Sequence, residues 1–218
     1  MEHNHYEREL KYLLETGGVS LVQILGLLEK YGYQLIKAKP KEKHEAYYDD
    51  RNLTLTNNQE VMRESRHYTQ KGKLKKHRFM YKKNLSDPNK PYVAKAELGS
   101  GKYKSVQDFV EALKLDADIS PVPFLYAQVK RATAIVGKGP ERLLISHDKI
   151  EYFKDNELAS AFEEELEIED WTDPHTGVRR DSDVCLCEAN EILVNSGLPL
   201  QLTKCSKHYR GLELLGKN

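Results

Sequence analysis

Charged and apolar side chains alternate with period two over several short stretches of this chain. In an extended segment that spacing places one set on each face. Tyr6 to Leu14 puts Glu7, Glu9 and Lys11 on one side and Arg8, Leu10 and Tyr12 on the other. Short strand-like segments follow at fairly regular intervals over 44–49, 60–68, 75–83, 92–98, 124–136, 142–150 and 163–169. Together they predict eight strands, separated by turn signals at Gln70-Lys-Gly72, Ser86-Asp-Pro-Asn89, Gly99-Ser-Gly101 and Gly137-Lys-Gly-Pro140. Helical spacing appears in 19–31, where Leu21, Ile24, Leu25 and Leu28 share a face between Ser20 and Gly32. Two further helices are expected over 105–115 and 183–195, and Lys37 to Lys43 reads as a basic linker.

The face opposite the apolar one is unusual. A half-exposed sheet would scatter both signs, yet Glu7/Glu9/Lys11, Arg78/Met80/Lys82, Lys95/Glu97 and Glu163/Glu165/Glu167/Glu169 form sets at spacing two. Four glutamates on one strand face repel one another, and cations or a metal relieve that cost. A sheet that curls with this face inward makes a charged tunnel. The expected fold is therefore α+β but mainly β: an eight-stranded antiparallel closed β-barrel with packing helices outside. It is expected to occupy 1–218 as one domain, with a C-terminal helical segment over 182–216.

Composition sharpens this picture. The 218 residues carry 34 Lys+Arg and 34 Asp+Glu, a net charge of zero that by itself argues against a polyanionic partner. By position the charges separate: residues 51–100 hold 12 Lys+Arg and 4 Asp+Glu (12 − 4 = +8), whereas 151–218 hold 7 and 15 (7 − 15 = −8). No apolar run is long enough to span a membrane, and Met1-Glu2-His3-Asn4-His5 is not a secretory leader, so the expected compartment is the cytoplasm. Cys185, Cys187 and Cys205 are odd in number and form no disulfide framework, and they are read as idle or buried thiols instead of zinc ligands.

Carboxylate oxygens from two strands are hard ligands, which makes Glu7 and Glu9 with Glu165 and Glu167 candidates for Mg²⁺ or Mn²⁺. Lys11, Arg63, Lys82 and either Lys130 or Arg131 are candidates for several phosphate groups, since Arg clamps phosphate with paired hydrogen bonds and Lys acts as a point charge.

Glu7-Arg-Glu-Leu-Lys11 resembles the Glu-x-Glu-x-Lys signature of the CYTH superfamily, the triphosphate tunnel metalloenzymes. The resemblance continues in order through Tyr47-Tyr-Asp49, Met62-Arg63, Tyr81-Lys82, Lys95-x-Glu97, Lys130-Arg131, His147-Asp148, Glu165-Leu-Glu167-Ile-Glu169 and Ser206-Lys207-His208-Tyr209. It implies an eight-stranded tunnel that holds a triphosphate and divalent cations. Carried over by position, Glu7, Glu9, Asp148, Glu165 and Glu167 are the metal-side carboxylates. Lys11, Arg63, Lys82, the Lys130/Arg131 position and Lys207 are phosphate ligands. Glu97 and Glu169 are further lumen carboxylates, and Glu7, Glu9, Lys11, Glu165 and Glu167 the catalytic set. Family members pair two inward arginines at spacing two on the third strand; here Ser65 follows Arg63 at that spacing, and Arg66 points away by parity.

The expected activity is metal-dependent hydrolysis of an inorganic or organic triphosphate. A class IV-like adenylate cyclase, which Val61-Met-Arg-Glu64 resembles, and a non-catalytic polyphosphate or nucleotide sensor are the alternatives. The expected partner is a small triphosphate or nucleotide, without a membrane or extended nucleic acid. Tyr47, Tyr48, Trp171 and Tyr209 are left open as groups at the tunnel mouth.

Overall fold

Fourteen elements follow one another in the computed structural model: β1 (Asn4–Leu14), α1 (Leu21–Lys30), β2 (Gln34–Asp49), α2 (Thr54–Asn57), β3 (Glu60–Tyr68), β4 (Leu74–Asn84), β5 (Val93–Ser100), α3 (Val106–Leu113), β6 (Val122–Lys138), β7 (Glu141–Phe153), β8 (Ser160–Asp170), α4 (Val184–Val194), β9 (Leu200–Leu202) and α5 (Lys207–Leu214). The structure describes residues 4–69, 71–85, 89–91, 93–114, 120–154, 160–170 and 184–216, with backbone alone at 4–7, 93–97, 99 and 100. Trp171 lies outside the described residues.

All eight expected strands are present in one antiparallel sheet of order β5-β4-β3-β2-β6-β7-β8-β1-β9, and β5 pairs in addition with β1 over Asn4–Glu9. The three-residue β9 was not expected; it lies against the C-terminal half of β1. The larger correction is β2. Lys37–Lys43, read as a linker, is strand and pairs with β6 from Lys37↔Ile135 to Lys43↔Val129. Over Gln34–Lys41 this strand has no β3 neighbour, since that pairing begins at Glu42, and Pro40 is tolerated because one side of the backbone is a free edge.

The sheet is inside out relative to an ordinary core. Leu10, Tyr12, Val136, Leu143, Ile145, Leu166 and Ile168 point outward and are buried beneath α1 and α4. On the β3–β4 side, Met62, Phe79 and Tyr81 pack under Leu55 of α2 and Phe109 and Val110 of α3. The covering helices are fixed by local chemistry. Ser20 and Gln23 form a reciprocal capping box at α1, and Gly32 at φ 89° provides the left-handed residue that ends that region. Ser105 Oγ accepts from the Asp108 N–H at α3. Asp49, fully buried, accepts from the N–H groups of Leu55 (2.9 Å) and Thr56 (2.8 Å) and so serves α2, not the charged face. Among the described residues no helix is long and apolar enough to cross a membrane.

Candidate functional site

With the apolar residues facing out, strand alternation sends charged ones to the other face, where β1, β2, β3, β4, β6, β7, β8 and α5 surround a cavity of about 280 Å³. Register brings the opposite signs together. On the β1–β8 ladder Lys11 lies opposite Glu167 and Glu9 opposite Glu169, while Asp148 of β7 lies opposite both Glu165 of β8 and Arg131 of β6.

Lys11, 4% exposed, places Nζ 3.1 Å from Glu9 and 3.0 Å from Glu167. Burial opposes its charge, but Glu167, Glu9 and Glu165 outweigh it and hold its pKa above the usual lysine value. Arg131 grips Asp148 through two bonds, Nε to Oδ1 at 2.6 Å and Nη2 to Oδ2 at 2.5 Å, and also pairs with Glu167. Lys130 is exposed on the opposite face. The open choice between the two therefore falls to Arg131, and Lys130 is not part of this cavity.

Arg63 lines the cavity and pairs with Glu45 at 2.9 Å, and Lys82 is a buried lining residue. Lys207, carried in by α5, also arrives here, but carboxylates surround its ammonium: Asp148 at 2.8 Å, Glu165 at 3.0 Å and Glu167 at 3.3 Å. Glu7 lies opposite Lys95 in register, and Glu97 opposite Lys82; the side chains of Glu7 and Glu97 lie outside the described ones.

Several lining residues escaped the sequence reading. Lys41, Lys43 and Glu45 were hidden in the supposed linker and the short second strand. Arg210 of α5, outside the cavity lining, binds Glu163 through two bonds of 2.8 Å and also pairs with Glu165. No alternation flags a helix that enters a cavity end-on. Arg66 points away as parity requires, because the only β3–β4 register shift falls later, at His67/Tyr68, and it pairs with Glu64 on the outer face. His67 shares the face of Arg63, but burial, Lys43 and Arg78 bring its pKa down to about 4, so it is neutral near pH 7 and is no substitute for an arginine. Of the open aromatic residues, Tyr47 is buried and donates to Glu45 at 2.7 Å, Tyr48 donates to Glu64 on the outer face, and Tyr209 is exposed.

The carboxylates gather into two groups that could hold a hard cation. Glu9, Glu167 and Glu169 form one group, and Asp148, Glu165 and Glu167 another; within each, the ligand oxygens lie within 4.8 Å of one another. Ser146, buried on β7 and opposite Glu167, has an Oγ without a hydrogen-bond partner among the described residues. An all-oxygen donor set of this kind suits Mg²⁺ or Mn²⁺. The three cysteines are free thiols and belong to neither group.

No protein-family model and no curated protein sequence matches the chain. Solved structures do. A protein of Pyrococcus horikoshii OT3 is 18% identical with a TM-score of 0.56, covering 96% of this chain and 98% of that one. A Hippeastrum protein described as an adenylyl cyclase candidate with a dominant triphosphatase activity is 14% identical at a TM-score of 0.54, covering 95% of each chain. An adenylate cyclase candidate of Bacillus halodurans is 13% identical at 0.50, covering 93% of this chain and 95% of that one. At such identities the likeness is one of architecture: the chain has the triphosphate-tunnel, or CYTH, fold.

Proposed function

We propose that the protein is a Mg²⁺- or Mn²⁺-dependent hydrolase that cleaves the terminal phosphate of a triphosphate bound in the charged cavity. This reading takes the curled sheet as a tunnel closed through the β1–β5 pairing. One observation carries it: Lys11, Arg63, Lys82 and Arg131 share a cavity of about 280 Å³ with Glu9, Glu167 and Glu169. Cations and carboxylates at such density serve a ligand that is itself an anion with a metal. The free cysteine thiols agree with a cytoplasmic setting.

Glu9, Glu167 and Glu169, with Asp148 and Glu165 beside them, would hold the ion. When bound it supplies a lowered pKa for a coordinated water and polarisation of phosphate oxygens. Phosphoryl transfer asks the protein chiefly for position and charge compensation. Arg63 and Arg131 offer planar forks to phosphate oxygens, and Lys11 and Lys82 offer point charges. Before substrate arrives, Glu167 holds the ammonium of Lys11 and the guanidinium of Arg131 in place, so little reorganisation is needed.

The triphosphatase activity of the Hippeastrum protein supports hydrolysis. The cyclase descriptions of that protein and of the Bacillus protein favour a second reading, conversion of ATP to cyclic AMP and pyrophosphate. Purified protein with either metal and tripolyphosphate, thiamine triphosphate or ATP separates them by products. The expected result is orthophosphate release that EDTA abolishes and Lys11→Ala lowers by about 10²-fold or more. Cyclic AMP with pyrophosphate establishes the cyclase instead. Tight triphosphate binding without turnover in any combination makes the protein a sensor.

A further inference from the structure

The two carboxylate groups differ in what already compensates them. Glu9, Glu167 and Glu169 all line the charged cavity, and Glu169 is half-buried opposite Glu9 in register. In the other group Asp148 and Glu165 are 0% exposed and line no part of that cavity. Lys207, which touches both, does line it.

The helix α5 delivers this ammonium to the buried group. Lys207 is its first residue, and Nζ has Asp148 Oδ2 at 2.8 Å, Glu165 Oε1 at 3.0 Å and Glu167 Oε1 at 3.3 Å. These are the same three residues whose oxygens gather closely enough for an ion. Arg210, further along α5, pairs with Glu165, so the helix presents two cations to this wall. From the sheet, Arg131 pairs with Asp148 and Glu167, and Lys11 with Glu167. Among the described residues, Lys207, Arg210, Arg131 and Lys11 thus touch three carboxylates. A divalent ion added there would meet charge already compensated, together with the repulsion of nearby cations.

A lysine that serves a phosphate directs its N–H groups toward the ligand. Lys207 instead donates to Asp148 and Glu167. An ammonium is a compact point charge, suited to a small cage of carboxylate oxygens.

We propose that Lys207 is a built-in cation that takes the place of a divalent ion at Asp148, Glu165 and Glu167, so that the protein binds a single ion, at Glu9, Glu167 and Glu169. For the ion that is retained this rests on the metal-dependent reading; for the one replaced it does not.

Mn²⁺ binding to the whole protein, stripped with EDTA and dialysed, tests this by equilibrium dialysis and EPR, neither of which requires turnover. The parent binds about one Mn²⁺ per chain and Lys207→Met about two. Because the groups share Glu167, the paired ions of the variant couple and broaden the EPR lines. Glu169→Gln weakens the parent's ion by about tenfold or more, as loss of a charged ligand does, while Asp148→Asn changes it by less than about threefold. That comparison decides the matter where Lys207→Met does not fold. Two ions in the parent, a single ion in folded Lys207→Met, or equal weakening by Asp148→Asn and Glu169→Gln overturns the role of Lys207 and leaves the metal-dependent reading standing. The expected ion counts with no turnover in the parent keep that role and reject the hydrolase. No ion in the parent but one in Lys207→Met keeps it and rejects metal dependence, and no ion in either rejects both.

Discussion

At the scale of single residues, Lys43 separates binding from stability. It is buried beside Glu45 at 2.9 Å; burial first, then Arg131, bring its pKa down to about 8 despite that carboxylate. As pH rises through this value the ammonium is lost and phosphate affinity falls. Stability moves the other way. The unfolded lysine keeps its proton to about pH 10.4, so between the two values the unfolded chain binds more protons and this group adds stability as pH rises. KM for a triphosphate therefore climbs above about pH 8 in the parent and not in Lys43→Met. An identical alkaline limb in the variant would assign the titration elsewhere. At Lys130-Arg131 the sequence left open which cation faces the charged interior, since either parity fits two adjacent cations. The answer depends on register with β7, where Asp148 lies opposite Arg131, and register is a long-range property.

Among the elements, β3 was legible to the residue, although its apolar and charged positions do not alternate, because Gln70-Lys-Gly72 marks a turn just beyond its end. β2 was not. Its first eight residues are all exposed and include Pro40, so although Lys37, Lys39 and Lys41 recur at spacing two, no buried face marks a strand there; pairing with β6 makes it one. The role of α5 was equally hidden, as a short polar helix gives no sign of which cavity it closes. Its fit against the sheet depends on Gly211. A Cβ there would lie 2.7 Å from the Tyr152 ring and 3.0 Å from Leu125, both fully buried. Gly26 of α1 has nothing within 4 Å of the same added atom. Gly211→Ala is accordingly expected to cost about 1–3 kcal/mol in urea unfolding through overpacking. Gly26→Ala gains up to about 1 kcal/mol from helix propensity. Equal gains at both sites would mean that α5 does not bear on the sheet in solution.

Across the whole molecule, the net charge of zero conceals a basic segment and an acidic one folded onto a shared cavity, with the oily residues on the outside of the sheet beneath helices. Such an interior is costly to assemble because each buried ion must keep its partner. That ties stability to acid. Burial raises the carboxyls of Glu45, Asp148 and Glu167, but Arg63 at the first, Arg131 at the second and Lys11 at the third outweigh it, and all three lie below their ordinary values. Their contribution is fully present above the unfolded pKa of about 4 and disappears as pH falls toward the lower folded values. Glu165 runs opposite: burial raises its pKa, so its ionised form disfavours the fold and its protonation gives relief before the others titrate. His67, held neutral with its pKa down at about 4, is protonated in the unfolded chain below about pH 6.5, so metal-free protein should lose urea midpoint from there downward, less steeply where Glu165 protonation offsets it, and most steeply below about pH 4. Arg63→Met leaves Glu45 without that guanidinium, so the midpoint drops at neutral pH and the acid slope becomes shallower. An acid slope unchanged in Arg63→Met would show that the cavity carboxylates do not govern the transition.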